Sequence, residues 1–419
     1  MIPDLVQLAR RSLPGPQIEA LREGGGKVVG YSCVSTPREL LDAAGLHPFR
    51  IRALGSTARE LADARMSRFN CSFCRSCLQL GLDGSYHFLD GLIETNGCDH
   101  LRGMFENWQH EAPAAFFHYL RVPHLKNEDT LAVFTEELDL LRQALREHFA
   151  APISDDDLRS AIARQARVGE RMRRIQALRE LPAPTISGTE SLALTLLESA
   201  WPRPTIEELL DRVLEARRGG APSRSGARLL LAGSATDELD LVSAVEELGG
   251  QVVADTLCYG DRALTALDAD APGDPLAELA RAYLDQLLCP RMFDDYPRRL
   301  GHVLEVAERA DLQGVILIHN KFCDLHGVEN VRLRIDLEQR GLPALVLEKE
   351  YGASSDLGRI LTRVQAFLER IDARDPGRTQ AARGQKTASG AGGPARLAKR
   401  ASWDSRDPRS EPNKTSRRR

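Results

Sequence analysis

No stretch of the 419 residues approaches the run of roughly 18 apolar residues that a membrane-crossing helix needs, so no span is expected. Met1 to Pro14 holds no uninterrupted apolar segment and no small-residue cleavage site, so no secretory leader is expected. The phosphate-cradling pattern GxxxxGK[ST] is missing as well. Gly24-Gly25-Gly26-Lys27 lacks a leading glycine at the needed spacing and is followed by Val28, which argues against ATP binding through a P-loop. No second compact cysteine or histidine pair accompanies the single CxxCxxC run, so an autonomous zinc finger is not expected. The run also lacks the CxxxCP continuation of bacterial ferredoxins after Cys77.

What is present is ordinary in bulk. Hydrophobic residues make up 42% and charged residues 28%, the proportions of a soluble enzyme. The length suggests two or three domains, each large enough to bury a core without staples. The net charge of −4 hides an asymmetry: residues 373–419 carry 13 Lys/Arg against 4 Asp/Glu, which leaves the rest near −13. So acidic a body argues against a nucleic-acid binder. Eight cysteines in such a chain favour thiolate or metal chemistry over disulfides, in a cytoplasmic setting.

Strand and helix patterns alternate twice. In the first half, strands are expected at Lys27–Cys33, His47–Leu54, Asp90–Asn96 and Ala114–Val122, with helices at Arg38–Ala44, at Thr57–Ala64 and near Leu78–Leu82. Helical spacing then covers Asp129–Phe149, Asp155–Leu178 and Ile206–Ala216, and Gly219-Gly220-Ala221-Pro222-Ser223 reads as a linker. In the second half, strands are expected at Arg228–Ala232, Gln251–Thr256, Gly314–His319 and Ala344–Leu347. Helices fall at Glu238–Leu248, Pro275–Leu288, Pro297–Ala310, Glu329–Arg340 and Ser355–Ile371. The expected fold is α/β: two doubly wound parallel-sheet subdomains of the Rossmann or flavodoxin kind, 1–126 and 219–372. A helical bridge, 127–218, joins them, and a disordered basic tail, 373–419, follows.

The chemistry centres on Asn70-Cys71-Ser72-Phe73-Cys74-Arg75-Ser76-Cys77. Cys98, Cys258 and Cys323 each lie at or just beyond an expected strand end, where ligands gather in open α/β sheets. Thiolates from such scattered places suit an iron–sulfur cluster or zinc. Cys33 and Cys289 read as small buried hydrophobes. Glu39, in the turn after the first strand, is a candidate acid/base, although an acidic residue also suits a helix's first turn. His100, His118, His124 and His319 are candidate proton donors. Arg102, Arg262 and Lys321 flank the thiols, where they would meet a reduced cluster or CoA phosphates, or pair with the acidic body.

Taken in order, several pieces resemble the cluster-carrying subunits of the benzoyl-CoA reductase and 2-hydroxyacyl-CoA dehydratase family. They are Tyr31-Ser32-Cys33 with Pro37-Arg38-Glu39-Leu40 and Ala43-Ala44-Gly45; Cys71 with Arg75-Ser76; and Asp90-Gly91, Cys98-Asp99, Arg102 and Trp108. Asp255-Thr256-Leu257-Cys258-Tyr259-Gly260-Asp261-Arg262, Lys321-Phe322-Cys323-Asp324 and Leu347-Glu348-Lys349-Glu350-Tyr351 complete the set. The resemblance, over about residues 25–371, implies two α/β subdomains with a [4Fe–4S] cluster between them. It also implies a related second subunit and an ATP-hydrolysing iron–sulfur activator that delivers single electrons. The implied reaction is low-potential, one-electron reduction of an acyl-CoA, leading to ring reduction or to dehydration through a radical, under anaerobic conditions. The long middle segment and Asn96-Gly97-Cys98-Asp99-His100 lean toward the reductase side. Carried over, the ligands are Cys71, Cys98 and Cys323, three thiolates that leave one iron open. Because Cys74 and Cys77 stand beside Cys71, any of the three could be the first ligand. With Cys258 added, six cysteines could hold a double-cubane [8Fe–9S] cluster in a reductase of small molecules. A zinc-binding, non-catalytic relative is the remaining alternative.

Overall fold

The computed structural model describes residues 4–11, 13–220, 226–352 and 357–374. The expected tail lies outside the described residues from 375 on, as do 221–225 of the linker. Four strands, β1 (Val28–Tyr31), β2 (His47–Arg50), β3 (Gly91–Thr95) and β4 (Phe116–Leu120), form one sheet, and β5 (Ala227–Gly233), β6 (Gly250–Asp255), β7 (Gly314–Asn320) and β8 (Ala344–Lys349) form another. Runs such as Leu229-Leu230-Leu231 and Val315-Ile316-Leu317-Ile318 are buried on both sides, as strands covered on both faces must be.

The sheets share one topology. Their orders are β2-β1-β3-β4 and β6-β5-β7-β8, and every pair is parallel. In each, the chain winds to one side after its first strand and to the other after its second. This creates a switch point between β1 and β3, and another between β5 and β7, where the carboxyl ends open a crevice. Gly233 ends β5 at φ 112°, and a Cβ there would lie 2.0 Å from the Ile318 carbonyl oxygen, so glycine alone permits the approach of the two strands.

Fifteen helices accompany them among the described residues: α1 (Leu5–Ala9), α2 (Pro16–Glu23), α3 (Arg38–Ala43), α4 (Glu60–Asp63), α5 (Ser72–Leu82), α6 (Asp99–Glu111), α7 (Glu128–Phe149), α8 (Asp155–Glu180), α9 (Gly188–Glu198), α10 (Arg203–Arg217), α11 (Leu239–Glu247), α12 (Pro275–Asp285), α13 (Tyr296–Arg309), α14 (Asp324–Gln339) and α15 (Leu357–Arg374). Asn127, Ser154 and Ser187 start α7, α8 and α9 with reciprocal capping boxes. Among the described residues no helix is long and apolar enough to cross a membrane.

A shared core joins the sheets: Phe49 and Leu92 of the first and Leu231 and Ile318 of the second belong to one buried cluster with α9 and α11. Outer cores lie under α7 and α12 on the first sheet and under α13 and α14 on the second. The sheets and the helices between them form a single compact unit.

Four helices differ from the sequence reading. The cysteine run is itself the first turn and a half of α5, where a helix was expected only near Leu78. α14 begins five residues before the expected Glu329. α9 and α6 carried no expectation. Every residue of α9 except Glu190 is buried, so it has no polar stripe from which a helical period could be read.

Candidate functional site

Three helices begin with a cysteine. Cys71 is the N-cap of α5, Cys98 of α6 and Cys323 of α14. α6 follows β3 and α14 follows β7, so two of these thiols stand at the carboxyl ends of strands bordering the two switch points. The third arrives on the connection from β2 to β3. Cys98 Sγ accepts a hydrogen bond from the Leu101 N–H at 3.4 Å. The N–H groups of Cys74 and Phe73 act on the Cys71 sulfur, and that of His326 acts on Cys323, from longer range. A helix N-terminus carries about half a positive charge, so all three sulfurs face a positive backbone field.

The thiols also act on one another: Cys71 feels Cys323 and Cys74, and Cys74 feels Cys71 and Cys98, so these sulfurs share one neighbourhood. Contacts with Cys323 and Cys74 hold the Cys71 thiol well below its ordinary range, making it the one that ionises first. Cys74 is pushed up by its contacts with Cys71 and Cys98 and by burial. Cys323 is pushed up by its contact with Cys71 and by burial. Ser234, just past β5, accepts from the Asn320 N–H at 3.1 Å and acts on the Cys323 sulfur in the opposite sense, favouring its thiolate.

Residues far apart in sequence hold the three N-caps in place. The Arg75 guanidinium, buried on α5, donates to Asp63 at 2.5 Å and to Glu350 at 2.6 Å, and Ser72 Oγ accepts from the Tyr351 N–H at 2.9 Å. The end of β8 thus clamps the start of α5. His100 links all three cysteine segments. Its Nδ1 lies 2.7 Å from Asn70 Oδ1 and 3.4 Å from the Cys71 nitrogen, and its Nε2 lies 3.0 Å from Asp324 Oδ2. Phe69 and Phe322, the neighbours of Asn70 and Cys323, stack edge-on with centroids 5.5 Å apart and form an exposed aromatic lip.

The loop after β6, where Cys258 sits, works as a latch between the sheets. Asp255 Oδ1 accepts from the Leu257 and Asp261 N–H groups, and a Cβ at Gly260 would strike it at 1.9 Å, so the loop is rolled tightly. Arg179 of α8 grips Asp255 at 2.8 Å and Asp261 at 2.8 Å. So fixed, Tyr259 donates its hydroxyl to the Ile51 carbonyl, and the Arg50 guanidinium lies 3.8 Å over the Tyr259 ring while donating to the Cys258 carbonyl. Asp237 adds a second tie, accepting from the Ala53 and Leu54 N–H groups at 2.8 and 3.0 Å and from the Tyr351 hydroxyl. Sequence reasoning missed Asn70, Ser234, Asp237 and Arg179. It also missed Glu94, a buried carboxyl bonded to the Ser32 hydroxyl at 2.6 Å, whose pKa burial pushes up to about 8.

The other expected residues scatter. Cys77, one turn deeper in α5, is buried and faces Asp237 and Glu94. Cys258 packs partly buried against the shared core. Cys33 Sγ accepts from the Ser35 hydroxyl at 3.1 Å, and Cys289 packs against the outer core of the first sheet. Glu39 lies in the first turn of α3, buried, with Oε2 accepting from the Tyr283 hydroxyl at 2.8 Å and Oε1 unpartnered; burial raises its pKa. No hydrogen bond joins it to the thiols among the described residues. His118 stacks on Phe116, His124 meets the Arg291 carbonyl at 2.9 Å, and His319 faces Glu348 at 3.8 Å. Arg102 pairs with Asp99 at 3.2 Å, Arg262 donates to the Leu288 carbonyl at 2.5 Å, and Lys321 stands 4.0 Å from Glu350.

The thiol group suits an iron–sulfur cluster by its chemistry. Its sulfurs are soft donors from three separate segments, and three helix N-termini offset the negative charge that thiolates and sulfide bring. Among the described residues no three His, Cys, Asp or Glu side chains are already set for a single metal ion.

The family model described as 2-hydroxyglutaryl-CoA dehydratase, D-component, matches residues 33–371. A putative dehydratase subunit of Escherichia coli, YjiM, is 27% identical over 367 residues, covering 84% of this chain and 93% of that protein. The (R)-phenyllactyl-CoA dehydratase beta subunit of Clostridium sporogenes is 24% identical, covering 84% and 93%. A benzoyl-CoA reductase subunit of Thauera aromatica is 27% identical, covering 71% and 79%.

Proposed function

The chain belongs to the 2-hydroxyglutaryl-CoA dehydratase D-component family, and from that premise we infer that it is one subunit of an enzyme that dehydrates or reduces an acyl-CoA thioester. The observation that carries the reading is the meeting of Cys71, Cys98 and Cys323 at three helix N-termini between two sheets. These thiolates would hold a [4Fe–4S] cluster, which when bound supplies single low-potential electrons. Relatives named as single subunits of larger enzymes support a related partner chain. We assign electron supply to a separate ATP-hydrolysing iron–sulfur protein and place the complex in the cytoplasm.

The chain's own residues then have definite tasks. The first turns of α5, α6 and α14 stabilise negative charge on the thiols. Arg75, Glu350 and Ser72 fix the height of α5 relative to the second sheet. The Tyr259 and Asp237 ties keep the two switch points facing one site. Cys258 packs against the shared core and Cys77 lies a turn deeper in α5, which favours a single cubane over a double one.

Anaerobic purification, alone and with a co-expressed homologous subunit, tests the reading. About four iron and four sulfide per chain are expected, with turnover of a 2-hydroxyacyl-CoA or benzoyl-CoA once an activator and ATP are added. About eight iron would favour the double cubane, and zinc or no metal would overturn both.

A further inference from the structure

We propose that a cavity on the outer face of the second sheet binds a single small oxyanion of carboxylate size, held by the Arg262 guanidinium. The place is apart from the thiols, and the proposal needs neither iron nor acyl-CoA.

The cavity lies where the carboxyl ends of β5 and β6 meet α13 and α14. Thr256 lines it from just past β6, Arg262 from the loop beyond, Arg299 and His302 from α13, and His326 from α14. Its apolar wall includes Ala232 and Val303, which belong to the outer core of the second sheet and not to the core that joins the sheets. The carboxyl ends of parallel strands are where open α/β sheets take ligands. The volume is about 30 Å³, enough for about two water-sized groups at roughly 10–15 Å³ each, and so for the two oxygens of a carboxylate.

Charge supplies the second argument. Arg299 is balanced in place: its Nε and Nη2 donate to Glu329 at 2.9 and 2.5 Å, and its Nη1 donates to the Cys289 and Met292 carbonyls at 3.2 and 3.3 Å. Arg262 has no such balance. Its Nη1 donates to the Leu288 carbonyl at 2.5 Å, its Nε is shut from water without a partner, and among the described residues no carboxylate pairs with it. A guanidinium withdrawn from water without a counter-ion is costly, and a carboxylate matches its forked donors with two oxygens.

The imidazoles beside it suit the same ligand. Burial first, and then neighbouring guanidinium groups that include Arg262, lower the pKa of both His302 and His326. Near neutral pH each ring is therefore uncharged and keeps one N–H to donate. An anion held here ties α13 and α14 to the loop that latches the two sheets together, and α14 is the helix that Cys323 caps.

The test is isothermal titration calorimetry of the full chain without iron, with formate as the probe and ionic strength held constant with chloride. Wild type should bind a single formate, and its melting temperature should rise with formate concentration. Arg262→Gln should weaken binding by at least about tenfold. Arg212→Gln, which removes a half-exposed charge on α10, should bind as wild type does. Val303→Ile adds a methylene to the cavity wall without changing any charge and should also weaken binding, so the proposal stays testable if Arg262→Gln fails to fold. Inorganic phosphate, with twice the oxygens, should bind more weakly than formate. No saturable binding by wild type, wild-type affinity in either cavity variant once folded, or a preference for phosphate overturns the proposal. Each of those results leaves the acyl-CoA reading standing, because iron content and turnover decide that one.

Discussion

Around Cys71, three helix N-termini bring buried thiols near one another, and Arg291 is among the charged groups that act on Cys98. Around Glu198, three helices bring a buried carboxylate between Arg38 at 2.8 Å and Arg203 at 2.9 Å, with Gln165 at 3.3 Å. Burial works to raise the Glu198 pKa, yet the two arginines hold it below its ordinary value. Both corners are polar, buried and assembled from distant segments. The charged corner already contains its own counter-ions and locks α3 to α9 and α10. The thiol corner has soft donors and favourable helix fields, and on the proposed reading its complement is a metal cluster.

This contrast can be broken or sharpened by four measurements. The largest effect belongs to the thiols. Cys98→Ala or Cys323→Ala should reduce bound iron to near zero while the apo melting temperature barely moves; iron retained in both would remove the thiol corner from the proposal. In the charged corner, Glu198→Ala should cost about 3–5 kcal/mol by stranding two buried arginines. Denaturant unfolding would show it, with iron per folded chain unchanged.

A smaller effect follows from His47, beside the charged corner, where Nε2 meets the Ala200 carbonyl at 2.8 Å. Burial lowers its pKa to about 4. The unfolded chain therefore takes up a proton near pH 6.5 that the folded chain refuses until about pH 4. Stability is full above pH 6.5 and falls between these values as pH drops, by at most about 1.4 kcal/mol per pH unit. His47→Gln should flatten that acid limb in a series of melts across pH, and an unchanged limb would reassign the effect.

The smallest effect concerns His100. Its Asp324 partner is largely exposed, so the link adds little to global stability. His100→Ala should leave the melting temperature nearly unchanged yet speed loss of iron to a chelator several-fold, because the three N-caps lose their common tie. Equal release rates would show that the tie is incidental.

The fold was legible in the sequence because its strands are short apolar runs punctuated by glycine and polar turns, and all eight fall where expected. Cys98 and Cys323 stood out because they end such runs. Other features could not be read that way. Arg75 and Glu350 both lie in recognisable motifs, but their pairing spans 275 residues. His100 looked like one histidine among several, since its partners lie 30 residues before it and 224 after it. The difference between Cys74 and Cys77 is a rotation around α5, visible only once the cysteine run is known to be helical. Glu39 reads in the sequence as a candidate acid/base or a first-turn helix acid, and α12 covers it with Tyr283 from 244 residues away.

Phe322, beside Cys323, holds its backbone at φ 66°, a left-handed conformation that costs a bulky residue about 1–2 kcal/mol. Glycine would adopt it freely, but glycine would leave Phe69 without its ring partner. The chain therefore accepts a conformational penalty beside Cys323 and keeps the ring contact with Phe69. A Phe322→Gly protein should melt slightly higher and yet survive a shorter time in air.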